Sequence, residues 1–245
     1  IRDKDVYLIF TIYIRTQMKN IFITGGNRGI GKGIVEEFSK DNNVIFSARN
    51  TEKAQLLIDT LGGKNIDYII MDVGDSESVQ KGIKKLKSRI SSIDVLINNA
   101  GILIPGLKHK IDAIDTDDDS IMKTFNINTV GALRVCKAVI PLMPPKSRII
   151  NISSGMGQMD GMGTGSLAYR LSKSALNAMT IVLSQELMVK SIKVNAICPG
   201  WVQTDMGGYE ATLTVKESAE SIKKFALSDN FPNGKFLRHG EELVW

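Results

Sequence analysis

Seven short candidate strands, most of them rich in Ile and Val, at residues 20–24, 43–48, 66–71, 93–98, 147–153, 192–197 and 234–237, recur along this chain with helical segments between them. Their apolar character is continuous rather than alternating, as in strands covered on both faces. Alternation of strand and helix over the whole length leads to a doubly wound parallel sheet flanked by helices. In such a sheet, reactive residues gather at the carboxyl ends of the strands. At 245 residues, with no internal repeat or low-complexity stretch, one α/β domain is expected.

The first of these runs leads into Thr24-Gly25-Gly26-Asn27-Arg28-Gly29-Ile30-Gly31, and a helical pattern (Ile34, Val35, Phe38) follows at once. Strand, glycine turn and helix is the context of a dinucleotide loop. Glycines let the backbone turn sharply and approach a pyrophosphate, and the free N–H groups of the following helix meet its charge. Gly26 to Lys32 also approximates the nucleotide-triphosphate loop, but that loop needs a Ser or Thr hydroxyl next, and position 33 is glycine.

Tyr169 and Lys173 stand four residues apart in a helical segment, which stacks them on one face. A phenol with a pKa of about 10 exchanges protons poorly at neutral pH. An ammonium roughly 4 Å away, at an effective dielectric near 20, interacts by about 4 kcal/mol and is expected to lower that pKa by up to about three units before desolvation takes some back.

These motifs, in this order, resemble the short-chain dehydrogenase/reductase family, and the resemblance runs from Asn20 to Trp245. Asp72-Val73 matches its adenine position and Asn98-Asn99-Ala100-Gly101 its N-N-A-G turn. Asn128 lies three residues before Gly131 in a long central helix, Ser154 follows the fifth strand, and Pro199-Gly200 with Thr204 matches its P-G-x-x-x-T loop. Tyr169 to Asn177 and Pro199 to Gly208 look most like the carbonyl reductases of sniffer and C-factor type. The resemblance implies a Rossmann-type α/β sheet and reduction of a carbonyl with a nicotinamide cofactor. It makes Tyr169 the proton donor and Ser154 the hydrogen-bond donor to the carbonyl oxygen. Lys173 would hold the ribose, and Asn128 would keep a water that passes protons onward. Cofactor contacts would come from Gly25, Asn27, Arg28, Gly29, Ile30, Gly31, Arg49, Asp72, Val73, Asn99, Ala100, Gly101, Tyr169, Lys173, Pro199, Gly200, Val202 and Thr204. Ser153 and Asn126 are near decoys. Alternation along a strand lets only one of the two serines face the crevice, and a two-residue step on a helix turns a side chain by about 200°. The family's spacing selects Ser154 and Asn128. The other functional class to weigh is a nicotinamide-binding sensor or scaffold, which has no need of the proton donor.

Members of this fold that select NAD place an acidic residue at the end of the second strand, where it binds the ribose 2′-hydroxyl and repels a 2′-phosphate. Here that position falls on Ala48, with Arg49 next and Arg28 inside the glycine loop. NADP(H) is therefore the expected cofactor.

The formal charge of +5 raises the question of nucleic acid, but Lys81, Lys84, Lys85, Lys87 and Arg89 spread along one amphipathic helix, the pattern of a solvated face. Asp115 to Asp119 read as a loop and helix start, with carboxylates at the positive end of the dipole. Cys136 and Cys198 read as reduced packing residues of a cytoplasmic protein. His109 and His239 form no ligand-spaced cluster, so no metal is expected. Residues 1–17 fall outside the family pattern, leaving 18–245 as the NADP(H)-binding domain. Val6 to Ile14 is too short for a membrane span, and Met18 is the expected natural start. Met156, Met159 and Met162, with the 201–215 segment, point to a small hydrophobic carbonyl substrate. Family members pair through the helices corresponding to 116–141 and 168–189, which implies a homodimer.

Overall fold

The computed structural model describes residues 18–63, 65–104 and 112–245; residues 1–17, with their expected extension, and His109 lie outside them. The apolar runs become β1 (Asn20–Ile23), β2 (Asn43–Ala48), β3 (Ile66–Ile70), β4 (Val95–Asn98), β5 (Arg148–Ile152), β6 (Lys193–Ile197) and β7 (Phe236–Arg238). They lie side by side in the order β3-β2-β1-β4-β5-β6-β7, all parallel. A strand the sequence reading did not anticipate, β8 (Glu241–Glu242), adds antiparallel to β7. Left-handed His239 and Gly240, at φ 52° and 89°, make the tight turn between them. β7 begins later than expected because Gly234, at φ 67°, is still turning.

The helices are α1 (Gly29–Phe38), α2 (Thr51–Leu61), α3 (Ser76–Lys87), α4 (Asp118–Phe125), α5 (Gly131–Val139), α6 (Leu167–Glu186) and α7 (Val215–Ala226). Successive residues of each strand serve opposite faces of the sheet. Ile21, Ile23, Val44, Phe46, Val95 and Ile97 pack with Val35 and Phe38 of α1, Leu57 of α2 and Ile222 of α7. Phe22, Ile45 and Leu96 pack on the other face with Ile83 and Leu86 of α3, Val135 of α5 and Leu183 of α6. Both faces are buried, which is why the strand sequences read as unbroken apolar runs. Gly33 lets α1 and α7 come close, since a Cβ there would lie 2.4 Å from Val215 Cγ1.

Local chemistry sets the helix starts. Asn50, Asp75 and Asp117 cap α2, α3 and α4 through their side chains, and Thr214 with Glu217 forms a capping box on α7. The acidic run thus opens a helix, and its capping bond to Ser120 holds the Asp117 carboxyl below its ordinary pKa. Lys81, Lys84, Lys85, Lys87 and Arg89 are all exposed, the solvated face expected.

One helix departs from expectation. The long central helix is broken into α4 and α5 by a π-helical turn, Asn126–Val130, in which the Gly131 N–H bonds Asn126 O. Two features draw this turn against the β3–α3 loop. Gly131 approaches so closely that a Cβ would sit 3.0 Å from Val73 O. Arg134 donates to Asn126 Oδ1 at 2.6 Å, Ser76 Oγ at 3.0 Å and Val73 O at 3.2 Å. These contacts supply the hydrogen bonds that an extra residue in a helix disrupts.

Candidate active site

The order of the sheet reverses between β1 and β4, and there a cleft of about 590 Å³ opens at the carboxyl ends of the strands. Its floor is the glycine turn. Gly25 and Gly29 hold φ of 68° and 51°, conformations that glycine adopts without penalty. Gly31 is glycine for a different reason: a Cβ would stand 2.1 Å from Gly25 O and 2.4 Å from Asn99 Nδ2. The Asn99 amide in turn donates to Thr24 O and Gly25 O, both at 2.9 Å. Thr24 Oγ1 accepts from the N–H groups of Asn99 and Ala100 at 3.0 Å each. β1 and β4 thus fix each other's turns. Directly above, α1 begins at extended Arg28 with no side-chain cap and no acidic residue in its first turn, unlike α2, α3, α4 and α7. An uncapped helix start over a glycine cradle fits an anionic group such as a pyrophosphate.

At one end of the cleft stand the two arginines singled out in the sequence. Arg28 Nη1 lies 3.9 Å from Asp205 Oδ2, and Arg49 Nη1 lies 3.8 Å from Asp72 Oδ2. Both guanidiniums are more than half exposed, so these loose pairs hold them weakly. Lys53, on the first turn of α2, lines the same cleft. It went unnoticed because it belongs to no motif, although Arg49 and Lys53 bracket the Asn50 cap.

Tyr169 and Lys173 line the other end, both buried, with Lys173 Nζ 5.6 Å from the phenol ring centre. Here the structure corrects an expectation. The phenol is not brought toward neutrality: burial pushes it up to about 12, against a hydrogen bond with Ser154 that lowers it. Burial also depresses Lys173 to about 8. Desolvation disfavours charge on both groups, and it outweighs their mutual attraction at this separation. The ammonium donates to Ile152 O at 2.8 Å.

Ser153 is a wall of the cleft and Ser154 and Asn128 are not, so the decoys are told apart by their hydrogen-bond partners. Ser154, half-buried, faces Tyr169 and accepts from Met156 N at 3.1 Å, whereas Ser153 is buried and bonds Asn177 Oδ1 at 2.6 Å. Asn126 holds the α4–α5 turn to Gly74 O, while Asn128 reaches inward. Its Oδ1 accepts from Ile102 N at 2.8 Å, and its Nδ2 donates to Ile102 O at 2.9 Å and Ser172 Oγ at 3.0 Å.

Of the expected cofactor positions, Gly25, Asn27, Arg28, Gly29, Ile30, Gly31, Arg49, Asp72, Val73, Asn99, Ala100, Gly101, Tyr169, Lys173, Pro199 and Thr204 all line the one cleft. Gly200 and Val202 are not among its walls. Gly200 turns at φ 84° against Leu213, and Val202 is buried and paired with Leu213, so both shape the 199–214 loop. Gln203 and Met206 of that loop do line the cleft. Among the described residues no group of His, Cys, Asp or Glu is placed to hold a metal ion, and no helix is long and apolar enough to cross a membrane.

The comparisons with known proteins agree with this geometry. Oxidoreductase UcpA of Escherichia coli is 35% identical over 208 residues, covering 83% of this chain and 77% of its own. The carbonyl reductase Sniffer of D. melanogaster superposes with a TM-score of 0.84 at 32% identity, covering 94% of this chain and 100% of that one. An NADPH-bound carbonyl reductase from chicken fatty liver does so at 0.83 and 28%, covering 93% and 99%. The family model for short chain dehydrogenases matches residues 19–212. With its nucleotide cleft at the β1–β4 switch and a Ser-Tyr-Lys cluster at the end of that cleft, the chain belongs to the short-chain dehydrogenase/reductase family of oxidoreductases, and within it resembles the carbonyl reductases.

Proposed function

We propose that this protein reduces the carbonyl group of an aldehyde, ketone or quinone with NADP(H), Tyr169 supplying the proton. The observation that carries this reading is the joining of a Ser154–Tyr169–Lys173 cluster to a cleft with Arg28, Arg49 and Lys53 lining its other end. The cofactor, when bound, supplies the hydride. The α1 start and Gly29 to Gly31 would hold its pyrophosphate, and Lys173 its ribose.

The roles of the chain's own groups follow from their surroundings. A phenol pushed up to about 12 keeps its proton but yields it less readily than a free one, so Tyr169 acts as the acid only with a cation beside it to favour the tyrosinate. Ser154 donates to the carbonyl oxygen as negative charge develops there, a contribution of about 3 to 4 kcal/mol. Lys173, cationic below about pH 8, stabilises the tyrosinate that remains. A Cβ at Gly101 would lie 3.2 Å from Asn128 Oδ1 and 3.6 Å from Lys173 Nζ, so glycine leaves the surroundings of both groups open. A water bridging Asn128 and Lys173 would let Lys173 recover protons.

The choice of NADP(H) rests on the 2′-phosphate. Each guanidinium that reaches it adds a charge-assisted hydrogen bond of about 1.5 to 3 kcal/mol. One such bond gives roughly tenfold preference, and two exceed a hundredfold. The chicken carbonyl reductase is a relative with NADPH bound. Following absorbance of NADPH and NADH against a panel of aldehydes, ketones, diketones and quinones tests the whole reading. NADPH is expected to be favoured at least tenfold in kcat/KM, and Arg49→Ala to raise the KM for NADPH about tenfold while sparing NADH. Equal efficiency with both cofactors would refute the role of the arginines, and consumption with no compound in the panel would refute the activity.

Met159, Met162, Trp201 and Tyr209 expose apolar surface on the two loops expected to enclose the substrate, which supports a hydrophobic one. Leu171, Ile181 and Val182 on α6 and Met122 on α4 are likewise exposed. We take that surface as supporting a homodimer through these helices, and light scattering at micromolar concentration should return twice the chain mass; a monomer mass would overturn it.

A further inference from the structure

The C-terminal hairpin brings a cation to the catalytic turn. The left-handed pair His239 and Gly240 ends β7 sharply and leaves Arg238, the last residue of that strand, against the end of β6. Arg238 Nε donates to Cys198 Sγ at 3.3 Å, and the same sulfur accepts the Gly155 N–H at 3.2 Å. Gly155 is the residue after Ser154. A Cβ at Gly155 would lie 2.4 Å from Arg238 Nη2, with Arg238 Cζ next at 3.7 Å.

The fit is mutual and has no backbone explanation. Gly155 is not among the glycines with positive φ, so its conformation is open to any residue. What its missing side chain provides is room, and the guanidinium occupies that room. Among the described residues, no carboxylate forms an ion pair with Arg238. Glu241, directly across the hairpin from Arg238, is exposed and forms no ion pair with it, and Glu242 is taken by Lys235 at 2.7 Å. Arg238 is not a wall of the nucleotide cleft, but its half-buried side chain, with no ion pair among the described residues, stands beside the residue that follows Ser154 and has N–H groups suited to an anion.

We propose that Arg238 is a specificity-determining residue, selecting carbonyl substrates that also carry a carboxylate over neutral ones. The inference rests on the reading of Ser154 and Tyr169 as the place of reduction. Its planar fork matches a carboxylate in two parallel hydrogen bonds, which also orients the neighbouring carbonyl. The carboxylate takes no part in the chemistry and leaves unchanged on the hydroxy acid product. The apolar loops at Met159, Met162 and Trp201 receive the rest of the molecule.

The test compares phenylglyoxylate with its methyl ester, using the enzyme with NADPH. The acid is expected to show at least tenfold higher kcat/KM. Arg238→Met should lower that figure at least thirtyfold for the acid and less than threefold for the ester, with the KM for NADPH unchanged. A wild-type preference for the ester, or equal losses on both compounds, overturns the proposal. If Arg238→Met does not fold, inhibition of wild-type ester reduction decides: benzoate should compete at least tenfold better than benzamide and lose that advantage in high salt. Equal inhibition overturns the proposal. Reduction of a neutral diketone alongside either negative result sinks the Arg238 inference alone. If no carbonyl compound at all is reduced, the reading of the site fails and takes the inference with it.

Discussion

Tyr169→Phe is expected to lower carbonyl reduction by about 10³ to 10⁴-fold while cofactor affinity stays within about threefold. The substitution removes one oxygen from a buried ring and leaves Lys173, bonded to Ile152 O, in place to hold a ribose. The pH profile provides an independent check. Tyr169, pushed up to about 12, remains protonated throughout the working range, so its own ionisation does not limit reduction. Lys173, pushed down to about 8, is cationic below that pH and neutral above it. Reduction should therefore be flat in acid and decline as pH rises through about 8, and Lys173→Met should be slow with no inflection there. Turnover retained by Tyr169→Phe would remove the tyrosine from the mechanism; a decline centred near pH 10 would mean that burial does not depress Lys173.

Gly31→Ala should abolish measurable cofactor binding and lower Tm by about 2 to 12 °C. One added methyl group has no space: its neighbours would be a backbone oxygen at 2.1 Å and the Asn99 amide at 2.4 Å. Neither moves freely, because Asn99 Nδ2 bonds both Thr24 O and Gly25 O. Overpacking of this kind costs about 1 to 3 kcal/mol, and in a domain of this size each kcal/mol is roughly 2 to 4 °C. Gly29→Asn makes the comparison informative. Its nearest obstacle is Thr204 Cγ2 at 3.5 Å, and its penalty lies in the left-handed φ that Asn tolerates. It should lose about 1 kcal/mol of stability and lose less binding than Gly31→Ala. Calorimetric titration with NADPH and thermal melts of the two variants separate the steric cause from the conformational one; normal binding by Gly31→Ala would show that the loop does not cradle the cofactor.

The strands, their parallel arrangement and the place of the cleft were legible in the chain because the strand–helix alternation and the glycine turn are local patterns. Burial on both faces writes unbroken apolar runs, and a pyrophosphate turn writes its glycines at fixed spacing. Tyr169, Lys173 and the glycine loop could be named for the same reason, and the resemblance of the motifs selected Ser154 over Ser153 and Asn128 over Asn126. What escaped depends on contacts between segments remote in sequence. The break of the central helix into a π turn follows from Arg134 and Gly131 meeting Val73 and Ser76, a meeting no helical periodicity records. The upward displacement of the Tyr169 phenol arises from burial, and burial is a property of everything packed around a residue rather than of the residue four positions away. Arg238 belongs to no motif. Only the tertiary structure carries it 83 positions from Gly155 in sequence to a place beside it, because the hairpin turn at His239 and Gly240 and the parallel pairing of β6 with β7 close that distance.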